Sequence, residues 1–334
     1  MRFCFENSVI FFRREPFPLR LYFAPMEGVT DAPFRRVHHD CFGGVDKYFI
    51  PFISPTQHLT LTSREQRAVS PAENAGINAV PQVLTRDPAH FRWAAQALAD
   101  LGYTEVNLNL GCPSGTVTAK GKGSGLLRDP DALRALLDGV FADAPLPVSV
   151  KTRIGFDSPD EWPALLALFC AYPICELTIH ARTRSQFYRG EPFRGAFAAS
   201  SALPFPVVLN GDLFSPDDCR QAGEDFPFAG GLMLGRGLVA NPALARTVRG
   251  GPPLAEDEMR RFHDALFDAY RRCYQDGVTL GRMREWWNHA ACCFQDPARP
   301  LKAIRKAKTA SAYLDAASDL LSHSLTADPH YSPF

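Results

Sequence analysis

The chain has 334 residues, room for one large core or for a barrel of about 250 residues with a smaller appendage. Its 36 basic and 36 acidic side chains cancel, which excludes a global field toward nucleic acid or membrane, so any nucleic-acid contact must be a local patch. The nine cysteines, odd in number and without a Cys-x-x-Cys pair, argue against a disulfide framework and against a metal site, and fit a reducing cytoplasm.

Residues 1–20 form an N-terminal extension in which Val9-Ile-Phe-Phe12 is hemmed by Glu6 and by Arg13-Arg14-Glu15, too short for a signal core or a membrane span. It reads equally as a leader, an edge element or a mis-assigned start. Strand-like apolar runs then follow in order: Leu21–Ala24, Val45–Ile50, Ile77–Val83, Glu105–Leu110, Val148–Lys151, Leu177–His180, Val207–Asn210 and Leu232–Leu234. Helical spacing lies between them over Phe91–Leu101, Pro130–Phe141 and Pro159–Ala171. Ser158 and Ser215, each followed by proline and two acids, read as helix starts: the hydroxyl caps free N–H groups, and proline and carboxylates suit the first turn. The longest apolar stretch, Pro163–Ile179, is broken by Pro173 and Glu176 and reads as a helix leading into a strand, so no transmembrane segment is expected. Strands alternating with helices predict an α/β fold, a (β/α)₈ TIM barrel over 21–248. After Gly251-Pro-Pro253 a smaller all-helical domain is expected over 252–334, with helices over Met259–Tyr274 and Arg282–Cys293.

In such a barrel the C-terminal ends of the strands converge on one rim, where active sites are built. Read in order, those ends carry Pro25-Met26-Glu27, Gln82, Asn109 with Cys112, Lys151 with Arg153, His180 with Arg182, Asn210-Gly211-Asp212 and Gly235-Arg236. Polar residues often end strands, so each alone reads as an ordinary rim residue; seven in phase point to a site. In Asn107-Leu-Asn-Leu-Gly-Cys-Pro113 the period-2 alternation stops at Gly111 and Pro113, which puts the Cys112 thiol on a tight turn and makes it the candidate catalytic group. Gly211 and Gly235 leave backbone room for an anion, with Arg236 as a bidentate clamp, after the last strands where barrels often bind phosphate.

Arg299, Lys302, Arg305, Lys306 and Lys308 form a run with no acid between Asp296 and Asp315. On a helix Lys302, Arg305 and Lys306 share one face, while Leu301, Ile304 and Ala307 fall on a neighbouring stripe. In a chain of zero net charge this concentration reads as a phosphate-binding patch, the plainer alternative being a solvated face. Trp286 and Trp287 read as core, with base stacking the lesser alternative.

With these residues in hand, the chain resembles the tRNA-dihydrouridine synthases, FMN-dependent (β/α)₈ enzymes that reduce uridine in tRNA. The resemblance runs from about Leu21 to Leu244 and more weakly beyond. It rests on Ala24-Pro-Met-Glu-Gly-Val-Thr-Asp-Ala-Pro-Phe-Arg35, the Asn107–Pro113 motif, Val150-Lys-Thr-Arg-Ile-Gly155, Thr178-Ile-His-Ala-Arg-Thr-Arg184, Leu209-Asn-Gly-Asp212 and Met233-Leu-Gly-Arg236. It implies that Pro25, Met26 and Glu27 lie along the flavin, that Gln82 and Lys151 hydrogen-bond its polar edge, and that His180 contacts it. By the same resemblance Asn210, Gly211, Asp212, Gly235 and Arg236 would hold the ribityl phosphate, Asn109 would orient the base and Cys112 would donate the proton. One departure falls in the loop Ser114–Gly125, which reads Lys122-Gly-Ser-Gly125 where the common form has a Gly-Gly-Ala-like run.

Reducing the uracil C5–C6 bond takes a hydride from reduced flavin and a proton from an acid on the other face of the base; a thiol is largely protonated at neutral pH yet gives up its proton readily. NADPH or NADH would be the reductant, and tRNA, without membrane or metal, the partner of a monomer. Arg153 and Arg182 on the rim, with Lys302, Arg305 and Lys306, are the expected RNA contacts. An FMN barrel acting on a free pyrimidine, of the dihydroorotate or dihydropyrimidine dehydrogenase kind, is the enzyme alternative, and a non-catalytic tRNA-binding protein the alternative of another class.

Overall fold

The computed structural model describes residues 19–326 together with Pro329 and Tyr331; the expectations for residues 1–18 lie outside the described residues. Eight parallel strands, β1 (Arg20–Phe23), β2 (Lys47–Ile53), β3 (Ala79–Val83), β4 (Val106–Leu110), β5 (Val148–Gly155), β6 (Leu177–Thr183), β7 (Val207–Asn210) and β8 (Gly231–Leu234), close into a barrel in which β1 pairs with both β2 and β8. Along β1, Leu21 and Phe23 join the large core beneath the helices, while Tyr22 joins a small cluster with Phe49, Val80, Val208 and Met233. Side chains alternate across a strand, so that cluster is the filled interior of the barrel.

The helices after Ser158 and Ser215 begin where their caps predict, while those expected from Phe91 and Arg282 start earlier, at Pro88 and Asp276. Ser158 accepts from Asp160 N and Ser215 from Asp218 N, and Asp87 and Asp129 cap Pro88–Asp100 and Pro130–Phe141 in the same way. Three strands outrun their expected ends. β2 continues through Pro51 because its ladder with β3 shifts register between Ile50 and Ile53, where a missing N–H costs nothing. β5 and β6 run on to Gly155 and Thr183, with a register shift after Arg153, so Arg153 and Arg182 are strand residues and not loop residues.

Helices Glu256–Cys273, Asp276–Ala290, Ala298–Lys306 and Ala310–Leu320 follow the barrel. They share its core: Phe262 meets Phe34 and Phe42 edge-on at 5.7 and 5.5 Å, and Trp286 Nε1 donates to Val239 O at 3.1 Å. Trp286 and Trp287 are fully buried, as expected of core. Tyr270 and Arg282 reach the loop after β1, contacting Asp31 at 3.2 and 3.6 Å, so the helical region braces the rim. Among the described residues no helix is long and apolar enough to cross a membrane.

Candidate active site at the barrel rim

The strand ends meet around a cavity of about 290 Å³, lined by every expected site residue except Arg182 and the three cations of the C-terminal helix. Its most ordered feature is a chain of amides. Ser149 Oγ accepts from Asn107 Nδ2 (2.9 Å), Asn107 Oδ1 from Gln82 Nε2 (2.7 Å), and Gln82 Oε1 from Asn109 Nδ2 (2.7 Å). Asn109 Oδ1 then accepts from the backbone N–H groups of Gly111 and Cys112, at 3.0 and 2.9 Å. The relay fixes the turn that carries the thiol and leaves one amide hydrogen each on Gln82 and Asn109 for a ligand. Burial pushes the Cys112 thiol up, against the pull of the Ser114 N–H and Arg153, so it stays protonated at neutral pH.

Beside it lies an excess of buried positive charge. Lys151 donates to Asn210 Oδ1 at 2.9 Å, and Asn210 in turn donates to Met233 O at 2.7 Å. Burial, with Arg153 next, lowers Lys151 to about 7, and burial lowers Arg153 to about 10. His180 is held well below the usual imidazole range by burial and by Arg153, Lys151, Arg182 and Arg236, so it is neutral. Among the described residues Asp212 is the carboxylate paired with the arginines here, accepting from both Arg182 and Arg236. Arg236 is also gripped between the rings of Tyr188 and Phe214, at 5.0 and 5.1 Å.

Two expectations are corrected here. Arg153 and Arg182 are each 1% exposed and cannot meet an RNA backbone at the surface. Arg153 spends its donors on the carbonyls of Gly111, Thr183 and Phe187, stitching β5 to the Cys112 turn and to the loop after β6; Arg182 spends its own on Asp212, Gly190 and Arg189. Asp212, with a left-handed φ of 46°, accepts from both arginines, so its carboxylate orients them beside the cavity. Glu27 pairs with Arg64 at 2.7 Å at the mouth. Lys302, Arg305 and Lys306 are exposed on helix Ala298–Lys306, outside this cavity. Tyr188, Phe214 and His289 line the cavity without having been marked by the sequence. Tyr188 lies just past a recognised motif, but His289 comes from the helical region, and no spacing rule links it to a barrel strand.

Fold and site together define a (β/α)₈ barrel enzyme with a polar cavity at the C-terminal rim of its strands. The chain belongs to the dihydrouridine synthase (Dus) family, whose model matches residues 22–325. It is 34% identical over 235 residues to tRNA-dihydrouridine synthase B of Pasteurella multocida, covering 69% of this chain and 68% of that one. It is 31% identical to a probable tRNA-dihydrouridine synthase of Rhodobacter capsulatus, covering 85% and 93%, and 30% identical to the tRNA-dihydrouridine(16) synthase of Pseudomonas putida, covering 80% and 87%. Among solved structures an old yellow enzyme homologue from Zymomonas mobilis shares the fold, with a TM-score of 0.52, 13% identity and coverage of 71% and 90%. A 2-naphthoyl-CoA reductase shares it as well, with a TM-score of 0.53, 13% identity and coverage of 70% and 50%.

Proposed function

We propose that the chain reduces a uridine of tRNA to 5,6-dihydrouridine, with FMN in the rim cavity, NADPH or NADH as electron source and Cys112 as proton donor. The observation that carries this reading is the Cys112 turn, whose backbone N–H is held by Asn109 Oδ1 at 2.9 Å beside the buried cations Lys151, Arg153 and Arg236 of the same cavity. The residues fit a flavin phosphate. Arg182 and Arg236 share the single Asp212 carboxylate, and a phosphate dianion beside Arg236 would offset the cost of burying the second cation. Bound FMN would supply the hydride to C6.

The chain's own residues supply the rest. Arg236, aimed by Asp212 and its two rings, would hold the phosphate beside the backbone at Gly211 and Gly235. At Gly211, a Cβ would stand 3.1 Å from the His180 ring, so side-chain-free backbone is what lets the histidine pack there. Lys151 and Gln82 would meet the polar edge of the ring system, Pro25, Met26 and Glu27 would flank it, and Asn109 would hold the base while Cys112 Sγ protonates C5. Lys302, Arg305 and Lys306, on the helical region 252–334, would grip the tRNA. The enzyme would act as a cytoplasmic monomer. The purified protein should be yellow, and with NADPH it should form dihydrouridine in a tRNA transcript but not in free uridine. Turnover of free uracil or uridine at comparable kcat/KM would instead favour the pyrimidine-reductase reading.

A further inference from the structure

The loop after β4 carries a cationic cluster that the cavity does not use. Lys120 and Lys122 bracket Gly121, whose φ is +63°, and Arg86 from the loop after β3 lies over that glycine, its Nη1 3.5 Å from where a Cβ would stand. Lys122 Nζ donates to Ser54 Oγ at 3.1 Å, so the loops after β2, β3 and β4 meet at one spot. Burial and the charges of Lys120 and Arg86 together lower Lys122. No carboxylate answers them among the described residues. Asp87, next in sequence to Arg86, caps the helix that follows, and Glu65 accepts from Ser54 N and Thr62 N. Like charges held together without an acid favour an anion in their midst.

The loop is also fastened to the thiol. Ser124 N and Oγ both donate to the Cys112 carbonyl, at 3.2 and 2.7 Å. Gly123, at φ +56°, packs so closely that a Cβ would stand 3.1 Å from Cys112 Cβ. A ligand seated on Lys120 and Lys122 therefore bears on the position of Cys112 through a short, rigid path.

Building on the uridine-reducing function above, we propose that Arg86, Lys120 and Lys122 clamp a backbone phosphate of the RNA strand beside the target nucleotide. The clamp seats the extruded base against Cys112. Arg86 and Lys120 are exposed, and none of the three lines the rim cavity, which places the clamp on the outer side of the loop the base must reach. A nucleotide drawn out of its stack brings its own backbone to that loop, and basic groups there offset the cost of extrusion.

The test uses holoenzyme carrying Arg86→Gln, Lys120→Gln and Lys122→Gln together, with Lys122→Arg as the charge-preserving control. Flavin content and the rate of flavin reduction by NADPH should be unchanged. The Kd and KM for tRNA should rise on the order of tenfold at physiological salt, and the slope of log K against log salt should flatten by roughly one unit, the share of a single phosphate. Lys122→Arg should keep the wild-type affinity. Unchanged tRNA affinity and slope in the triple variant overturn the clamp. A loss confined to the NADPH half-reaction also overturns it, by assigning the cluster to a dinucleotide phosphate. Failure of the wild-type holoenzyme to bind or reduce tRNA would instead count against the function on which the clamp rests.

Discussion

Two partly buried lysines stand at opposite ends of the same barrel, and their surroundings have opposite character. Lys47, at the start of β2, donates to Glu105 at 2.7 Å and to Glu176 at 3.2 Å, while Tyr22 OH gives Glu176 a second bond at 2.6 Å. Although burial alone would lower it, Glu176 and Glu105 outweigh that effect and raise Lys47. Lys151, near the rim, donates to the Asn210 amide, and burial with Arg153 outweighs the opposing Cys112 so that it falls to about 7. At the floor the charges close on themselves and hold strands β1, β2, β4 and β6 together. At the rim they are left open, and the imbalance is what a ligand would complete.

The sharpest test of the rim's role is chemical. Cys112→Ala should slow uridine reduction by about 10²–10⁴-fold, the range for losing a general acid, while flavin content and tRNA affinity stay at wild-type levels. Single-turnover oxidation of reduced enzyme by tRNA measures it, and wild-type-like rates would remove Cys112 from the reaction.

The same substitution at the two lysines should then have opposite signs. Lys47→Met strands Glu105 and Glu176, of which Glu176 has a side chain only 4% exposed, and should cost about 3–5 kcal/mol by denaturant unfolding. Lys151→Met should instead stabilise the flavin-free protein, by about 1–3 kcal/mol, while impairing catalysis. The pH dependence follows from the folded value near 7 and the ordinary 10.5. Between them the unfolded chain holds a proton that the folded chain lacks, so stability rises with pH across that window, and the cost of Lys151 is fully present below about 7. Lys151→Met should abolish that rise. Equal destabilisation by both variants would break the contrast between floor and rim.

A smaller effect is expected at the phosphate end. Arg236→Ala should weaken FMN binding by about 1.5–3 kcal/mol, read from flavin retained through dialysis. Stoichiometric retention would place the phosphate elsewhere.

The barrel was legible because its strands are continuous apolar runs at regular intervals with Ser-Pro-acid helix starts between them, signals that local chemistry writes into the sequence. The Asn107–Pro113 turn was legible for the same reason: a glycine and a proline stop the strand beside the thiol. Strand length was not. β5 and β6 run past their polar residues because they pair with each other as far as Gly155 and Thr183, and this draws Arg153 and Arg182 from the surface into the wall. Nor could sequence place the Tyr270 and Arg282 braces on Asp31, or His289 in the cavity, since those contacts join segments far apart in the chain.

The last prediction asks whether the open charge of the rim extends onto the helical region. Lys302, Arg305 and Lys306 are exposed on helix Ala298–Lys306, whose Ile304 is buried against the core, and Arg305 Nε is tied to Asn288 Oδ1 at 3.0 Å. Exchanging all three for Glu should leave flavin content and oxidation by a small acceptor untouched, because none of them reaches the lining of the rim cavity. Affinity for tRNA should fall, and the slope of log K against log salt should flatten by roughly two to three units if each residue neutralises one phosphate. The held guanidinium of Arg305 loses less freedom on binding than the two lysines, so Arg305→Glu alone should account for the largest single share. If the triple variant binds tRNA with wild-type affinity and slope, this face is merely solvated. The grip on RNA would then belong to the rim loops, with the helices serving only to brace the loop after β1.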